Sequence, residues 1–203
     1  MTDHPSRTTD NLLRKMWQTK SARFNAHQRL DRRHRMSVFA TSLLACYLVA
    51  LSLYQLVFEK NLSPVGMKLL SVTSIVVSVF LIMITLVESS RNYQSEADNM
   101  RENALEISKI YNAFQALSID KANEQRENFS KEYSDILYKA QLNHNDIDRN
   151  LFRIPNSREL DIKWPAFLSI LLQTLWLILL EYWLYIALSF VPPLLFVYFL
   201  PHL

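Results

Sequence analysis

The residues able to do chemistry are few, and their surroundings limit what that chemistry is. Glu181 is the single formal charge in the forty residues from Trp164 to Leu203. A carboxylate inside an apolar run is costly and often functional. The plainer reading puts it near an interface, reaching water beside Tyr182 and Trp183. Counted from Trp164 it lies about 25 Å along a helix, near the far side of a bilayer. Hydroxyls form two series. Ser71, Ser74, Ser78 and Thr85 fall at spacings of 3, 4 and 7, and Ser37, Thr41, Ser52 and Gln55 nearly repeat the pattern. Such stripes can line a wet path in an oligomer. The alternative is close helix packing with hydrogen bonds of about 0.6 to 2 kcal/mol.

Composition removes several classes of function. Gly66 is the one glycine, so no glycine-rich phosphate loop exists. Cys46 is the one cysteine, which leaves no intramolecular disulfide and no thiolate metal cluster. His4, His27, His34, His144 and His202 show no metal-binding spacing, and His27 and His34 sit among arginines that repel a cation. No nucleophile–base pair is evident. The reading is a chain that is not an enzyme and needs no cofactor.

The elements that would position these residues are helices. Met36–Phe58 carries no charge and is long enough to cross about 30 Å of hydrocarbon. It is too long, and starts too late, for a secretory signal. Leu69–Val87 is a second such run, and Pro64 and Gly66 mark the turn between them. A third oily stretch follows from Trp164. It reads as one spanning helix over about 165–189, a break at Pro192 and Pro193, and a short piece ending in FVYFLPHL. Glu88–Lys163 is polar, with apolar seams at Met100, Ala104, Ile107, Tyr111, Phe114 and Leu117 and again at Phe129, Tyr133, Ile136 and Ala140. Two antiparallel helices would bury both seams, with a turn in SIDKANEQ. LNHNDIDRN and IPNSRELDIKWP read as loop. With no Gly or Pro between Val87 and Pro155, the second membrane helix is expected to continue unbroken into the first polar one.

Charge sets orientation. Residues 1–35 hold nine Lys and Arg against three acids, and the turn at 59–68 is nearly neutral. Positive flanks stay in the cytoplasm. The expected fold class is all-α: a two-helix transmembrane hairpin (37–88), a basic N-terminal arm (1–36), a cytoplasmic helical hairpin (89–163) and a C-terminal hydrophobic segment (164–203). Arg29, Arg32, Arg33 and Arg35 are candidate contacts to anionic lipid heads, each cation being worth about 1 kcal/mol at the surface. Trp17 and Phe24 interleave with bases as in nucleic-acid binders, but the adjacent membrane already explains the charge.

RLDRRHRMSVFATSLLACYLVALSLYQL, followed by SIVVSVFLIMITLVESSRNYQSEADNMRENALEISKIYNAFQAL, resembles the SLATT family. These are two-transmembrane-helix effector domains of bacterial conflict systems. The likeness covers roughly residues 11–150 and is strongest to the subgroup associated with reverse transcriptases. It implies an antiphage effector of the bacterial inner membrane that oligomerises and forms a pore, or breaches the membrane, when a partner signals infection. A reverse transcriptase or a nucleotide-signal system would be that partner. A non-conducting anchor or adaptor for such a partner has the same sequence features.

Overall fold

A computed structural model describes residues 4–60, 62–140 and 145–199. His144, His202 and the end of the C-terminal piece lie outside the described residues. The described residues form six helices: α1 (His4–Val57), α2 (Pro64–Ser90), α3 (Tyr93–Gln115), α4 (Ile119–Lys139), α5 (Asp146–Arg153) and α6 (Trp164–Phe199). No strand occurs among the described residues. The all-α expectation holds, and three helices are long and apolar enough to cross a membrane.

The chain divides into two units, with the divisions falling inside α1 and α6. One unit comprises Met1–Asp31 and Tyr93–Ile178. Its core joins Leu12 and Met16 of α1 to Ile107, Ile110 and Phe114 of α3 and to Ala122, Tyr133 and Ile136 of α4. The two apolar seams therefore do pack together, but on a third helix. What reads as a basic arm supplies that helix, because apolar residues such as Leu12, Met16, Ala26 and Leu30 recur toward the other helices. A second layer sets Ala26 and Leu30 against Tyr93, Ala97 and Met100. The α3–α4 turn is shorter than expected: it ends at Ser118, the residue preceding α4, and IDKANEQ is already helical.

LNHNDIDRN is not all loop. Asn145 caps α5, and Asp148 closes a capping box by accepting from the Asn145 amide at 2.9 Å. The helix has eight residues, too few for its periodicity to stand out, and its buried positions include Asp148 and Asn150. IPNSRELDIKWP does form turns, with Asp161 at φ 51°.

The other unit comprises Arg32–Asn92 and Leu179–Leu203. Ser63 caps α2 by accepting from the Gly66 amide at 3.0 Å, and Pro64 occupies the first turn. Ala40 and Leu44 of α1 meet Tyr185 and Leu188 of α6, with Val77, Leu81 and Ile84 of α2 packed beside them. Most of the large side chains facing outward are apolar: Leu56, Ile75, Leu86 and Leu194 are each more than 60 % exposed. Surface of that kind belongs in lipid.

Two expectations fail in this unit. The second membrane helix does not run on unbroken. It ends at Ser90, the Arg91 amide bonds back to the Glu88 carbonyl at 3.2 Å, and Asn92 adopts φ 50° before α3 begins. Asparagine tolerates the left-handed region and takes the place glycine usually fills after a helix end. Conversely, α6 does not break at Pro192–Pro193; both prolines lie inside it. A proline at 193 cannot donate to the carbonyl of Ser189. The Tyr47 hydroxyl of α1 donates to that carbonyl instead, at 2.8 Å. A neighbouring helix thus satisfies the freed backbone group, which is how membrane helices accommodate proline.

Candidate functional site: a charged network binding three apolar helices

Arg33 lies one turn before the apolar run of α1. Glu88 closes the apolar run of α2. Glu181 and Tyr185 are one turn apart on α6 and share a face. Arg33 Nη1 donates to Glu181 Oε1 at 3.0 Å, and Arg33 Nε donates to the Tyr185 hydroxyl at 3.4 Å. That hydroxyl donates to Glu88 Oε2 at 2.5 Å, and Arg91 Nε stands 4.0 Å from Glu88 Oε1. Two guanidinium and two carboxylate groups therefore balance across α1, α2 and α6. Tyr185 is 1 % exposed, and the Glu181 and Glu88 side chains are 6 % and 8 % exposed.

The pairing fixes a register. Arg33 meets Glu181, Tyr47 meets Ser189, and Tyr54 stacks edge-on against Phe196 with centroids 5.2 Å apart. The two helices run parallel here. Glu181 consequently lies at the end of the unit marked by the arginine cluster, not near the far side. Counting from Trp164 misplaces it because the segment of α6 beside the apolar run of α1 begins after Glu181. From Glu181 to Phe199 a helix covers about 27 Å, close to the hydrocarbon thickness.

The hydroxyls are placed differently from a continuous facing stripe. Thr41, Ser52, Ser71, Ser74, Ser78 and Thr85 each donate to a carbonyl of their own helix four residues back, at 2.7 to 3.0 Å. Ser74 and Ser78 are half-buried, whereas Ser52, Ser71 and Thr85 are exposed. Ser37 is buried. Gln55 Nε2 is buried without a hydrogen-bond partner among the described residues. The structure brings no two members of opposite series into a hydrogen bond among the described residues.

The four arginines also separate. Arg32 and Arg35 are exposed. Arg33 joins the network above. Arg29 belongs to the other unit and is buried there: its Nε and Nη2 donate to the two oxygens of Asp148 at 2.8 and 3.2 Å. Asn25 adds a bond to the Asp148 carbonyl at 3.1 Å, and Trp17 stands edge-on to Phe152 with centroids 4.7 Å apart. Together these contacts hold α5 on α1. Arg23 bonds to buried Asn103, which donates to the Ile136 carbonyl. Burial lowers the Arg23 guanidinium below its ordinary value, and the Tyr133 hydroxyl acts in the opposite direction. Lys20 sits 3.7 Å from the Tyr111 ring centre, and burial lowers its ammonium likewise.

Sequence reasoning missed Arg33–Glu181, Tyr185 and Glu88 as one assembly. The available signal was electrostatic: a lone carboxylate in an oily run demands a cation, and an arginine cluster precedes another oily run. The network contains no activated nucleophile. What it can do is hold three helix segments in one arrangement, since charge-assisted bonds strengthen where water is scarce.

Comparison with protein families supplies the remaining constraint. Residues 6–199 match the profile of the SMODS and SLOG-associating 2TM effector domain family 5. The chain belongs to this family. The match extends well beyond 11–150 and takes in α6, so the third apolar helix is part of the family's domain here and not an appendage. No curated protein and no solved structure matches the chain.

Proposed function

We propose that this chain is a membrane effector of a bacterial antiphage defence system. It oligomerises in the inner membrane with its N-terminus in the cytoplasm and opens a path for ions when a partner signals infection. One chain contributes three helix segments to its apolar unit, too few to enclose water, so conduction needs several copies. The Arg33–Glu181–Tyr185–Glu88 network carries the reading, because it ties all three segments together at one end and would have to rearrange if they tilt. The resting state is the tied state.

Inducible expression with membrane polarisation followed by a voltage-sensitive dye tests this. Wild-type chain should depolarise cells when the activating partner, a reverse transcriptase or a nucleotide-signal system, is active. Glu181→Gln should depolarise them without it. A wild-type chain that never depolarises cells at any level, with its neighbouring genes present, would leave the non-conducting anchor as the function. One observation favours that second reading: six of the eight candidate lining residues turn their hydroxyls back onto their own helices.

A further inference from the structure

A cavity of about 420 Å³ opens between α1, α5 and the turns that follow α5, all within the unit formed by Met1–Asp31 and Tyr93–Ile178. Arg14 of α1 and Arg149 and Arg153 of α5 line it, together with Phe152, Leu160 and Ile162. No lining residue is acidic. Arg149 pairs with Asp146 at 2.7 Å, but both side chains are more than half exposed, and such a pair is worth under about 1 kcal/mol. Neither Arg14 nor Arg153 has a carboxylate partner among the described residues. Three like charges around one hollow repel each other, and among the described residues only the exposed Arg149–Asp146 pair offsets them there.

The backing of the cavity is rigid. Phe152 is buried and braced by Trp17, and Asp148 is clamped by Arg29. Arg149 and Arg153 therefore project from a helix held at two points, and Arg14 stands on α1 itself. Guanidinium groups match phosphate through paired N–H donors, more specifically than ammonium groups do. Phe152, Leu160 and Ile162 add an apolar wall that an inorganic anion would not need. The volume lies within the range of small-ligand pockets.

We infer that this cavity binds a small phosphate-bearing molecule, its phosphate held by Arg14, Arg149 and Arg153 and an apolar or planar portion laid against Phe152, Leu160 and Ile162. The shared chemistry fits a free nucleotide or the headgroup of an anionic phospholipid. The inference stands whether or not the apolar unit conducts ions.

The test uses the full chain in phosphatidylcholine nanodiscs. Equilibrium dialysis with labelled AMP, competed by pyrophosphate, measures binding of a soluble phosphate. Mass spectrometry of chain purified from phosphatidylglycerol-containing membranes counts retained anionic lipid. Saturable AMP binding that weakens at least tenfold in Arg14→Gln and in Arg153→Met, and less in Arg153→Lys, supports the inference with a nucleotide as the ligand. Retained phosphatidylglycerol lost in the same two variants supports it with a headgroup. Arg14 is exposed, so its variant keeps the fold and isolates the effect of charge. No saturable binding in either arm, or binding equal in wild type and Arg14→Gln, overturns it.

Discussion

Two arginines one turn apart on α1 each find a buried carboxylate far along the chain, and they do so in different units. Arg29 pairs with Asp148 in the unit formed by Met1–Asp31 and Tyr93–Ile178; Arg33 pairs with Glu181 in the unit formed by Arg32–Asn92 and Leu179–Leu203. In the first, the pair is one clamp among several. Asn25, the Trp17–Phe152 contact and the capping box share the task of seating α5. In the second, the helix faces are almost wholly apolar, and the Arg33–Glu181–Tyr185–Glu88 network supplies most of the directional contact among the described residues. Apolar packing between helices gains little in lipid, where the surroundings are equally apolar, so polar contacts weigh more in choosing the arrangement. The same kind of ion pair thus braces one fold and selects a helix arrangement in the other.

Breaking each pair on one side should expose that difference. Arg33→Leu leaves Glu181 buried without its cation, at a cost of about 3–5 kcal/mol. The expected result is a marked drop in detergent-solubilised melting temperature, largely restored by the double variant Arg33→Leu with Glu181→Leu. A single variant as stable as wild type would remove the network from the account. Asp148→Asn keeps shape but removes the carboxylate charge that pairs with Arg29, with an expected loss of about 2–3 kcal/mol. Its signature should be local: faster proteolysis near α5, with the melting of the apolar helices unchanged. Uniform destabilisation would mean the two pairs do not belong to separable units.

Smaller changes sharpen the contrast. Tyr47→Phe removes the donor to the Ser189 carbonyl that Pro193 leaves free, and about 1–2 kcal/mol should follow. The effect should vanish when Pro193→Ala restores the helical donor, which a double-variant cycle in detergent measures. Asn92→Gly relieves a left-handed residue and should change stability by less than about 1 kcal/mol. Asn92→Pro should cost several times more, because proline cannot reach that φ. Thermal unfolding of the pair separates a tolerated cap from an uninterrupted helix.

Legibility followed signal length. Met36–Phe58 and Leu69–Val87 are long and uncharged, and the seams at Met100–Leu117 and Phe129–Ala140 repeat over several turns, so helices were readable there. α5 is eight residues long and the break after α2 turns on an asparagine, neither of which stands out against background. Glu181 was recognisable as exceptional, but its partner was not, because 148 positions separate it from Arg33.

Local patterning was enough to specify an all-helical chain and its oily and polar segments, since each depends on residue type and nearby spacing. Which helices pair, that α1 and α6 run parallel, that Pro193 is tolerated beside Tyr47, and that Arg29 and Arg33 meet different carboxylates all emerged from packing. Those outcomes depend on contacts between residues far apart in the chain, where a charge or a free carbonyl has several candidate partners and only three-dimensional proximity selects one.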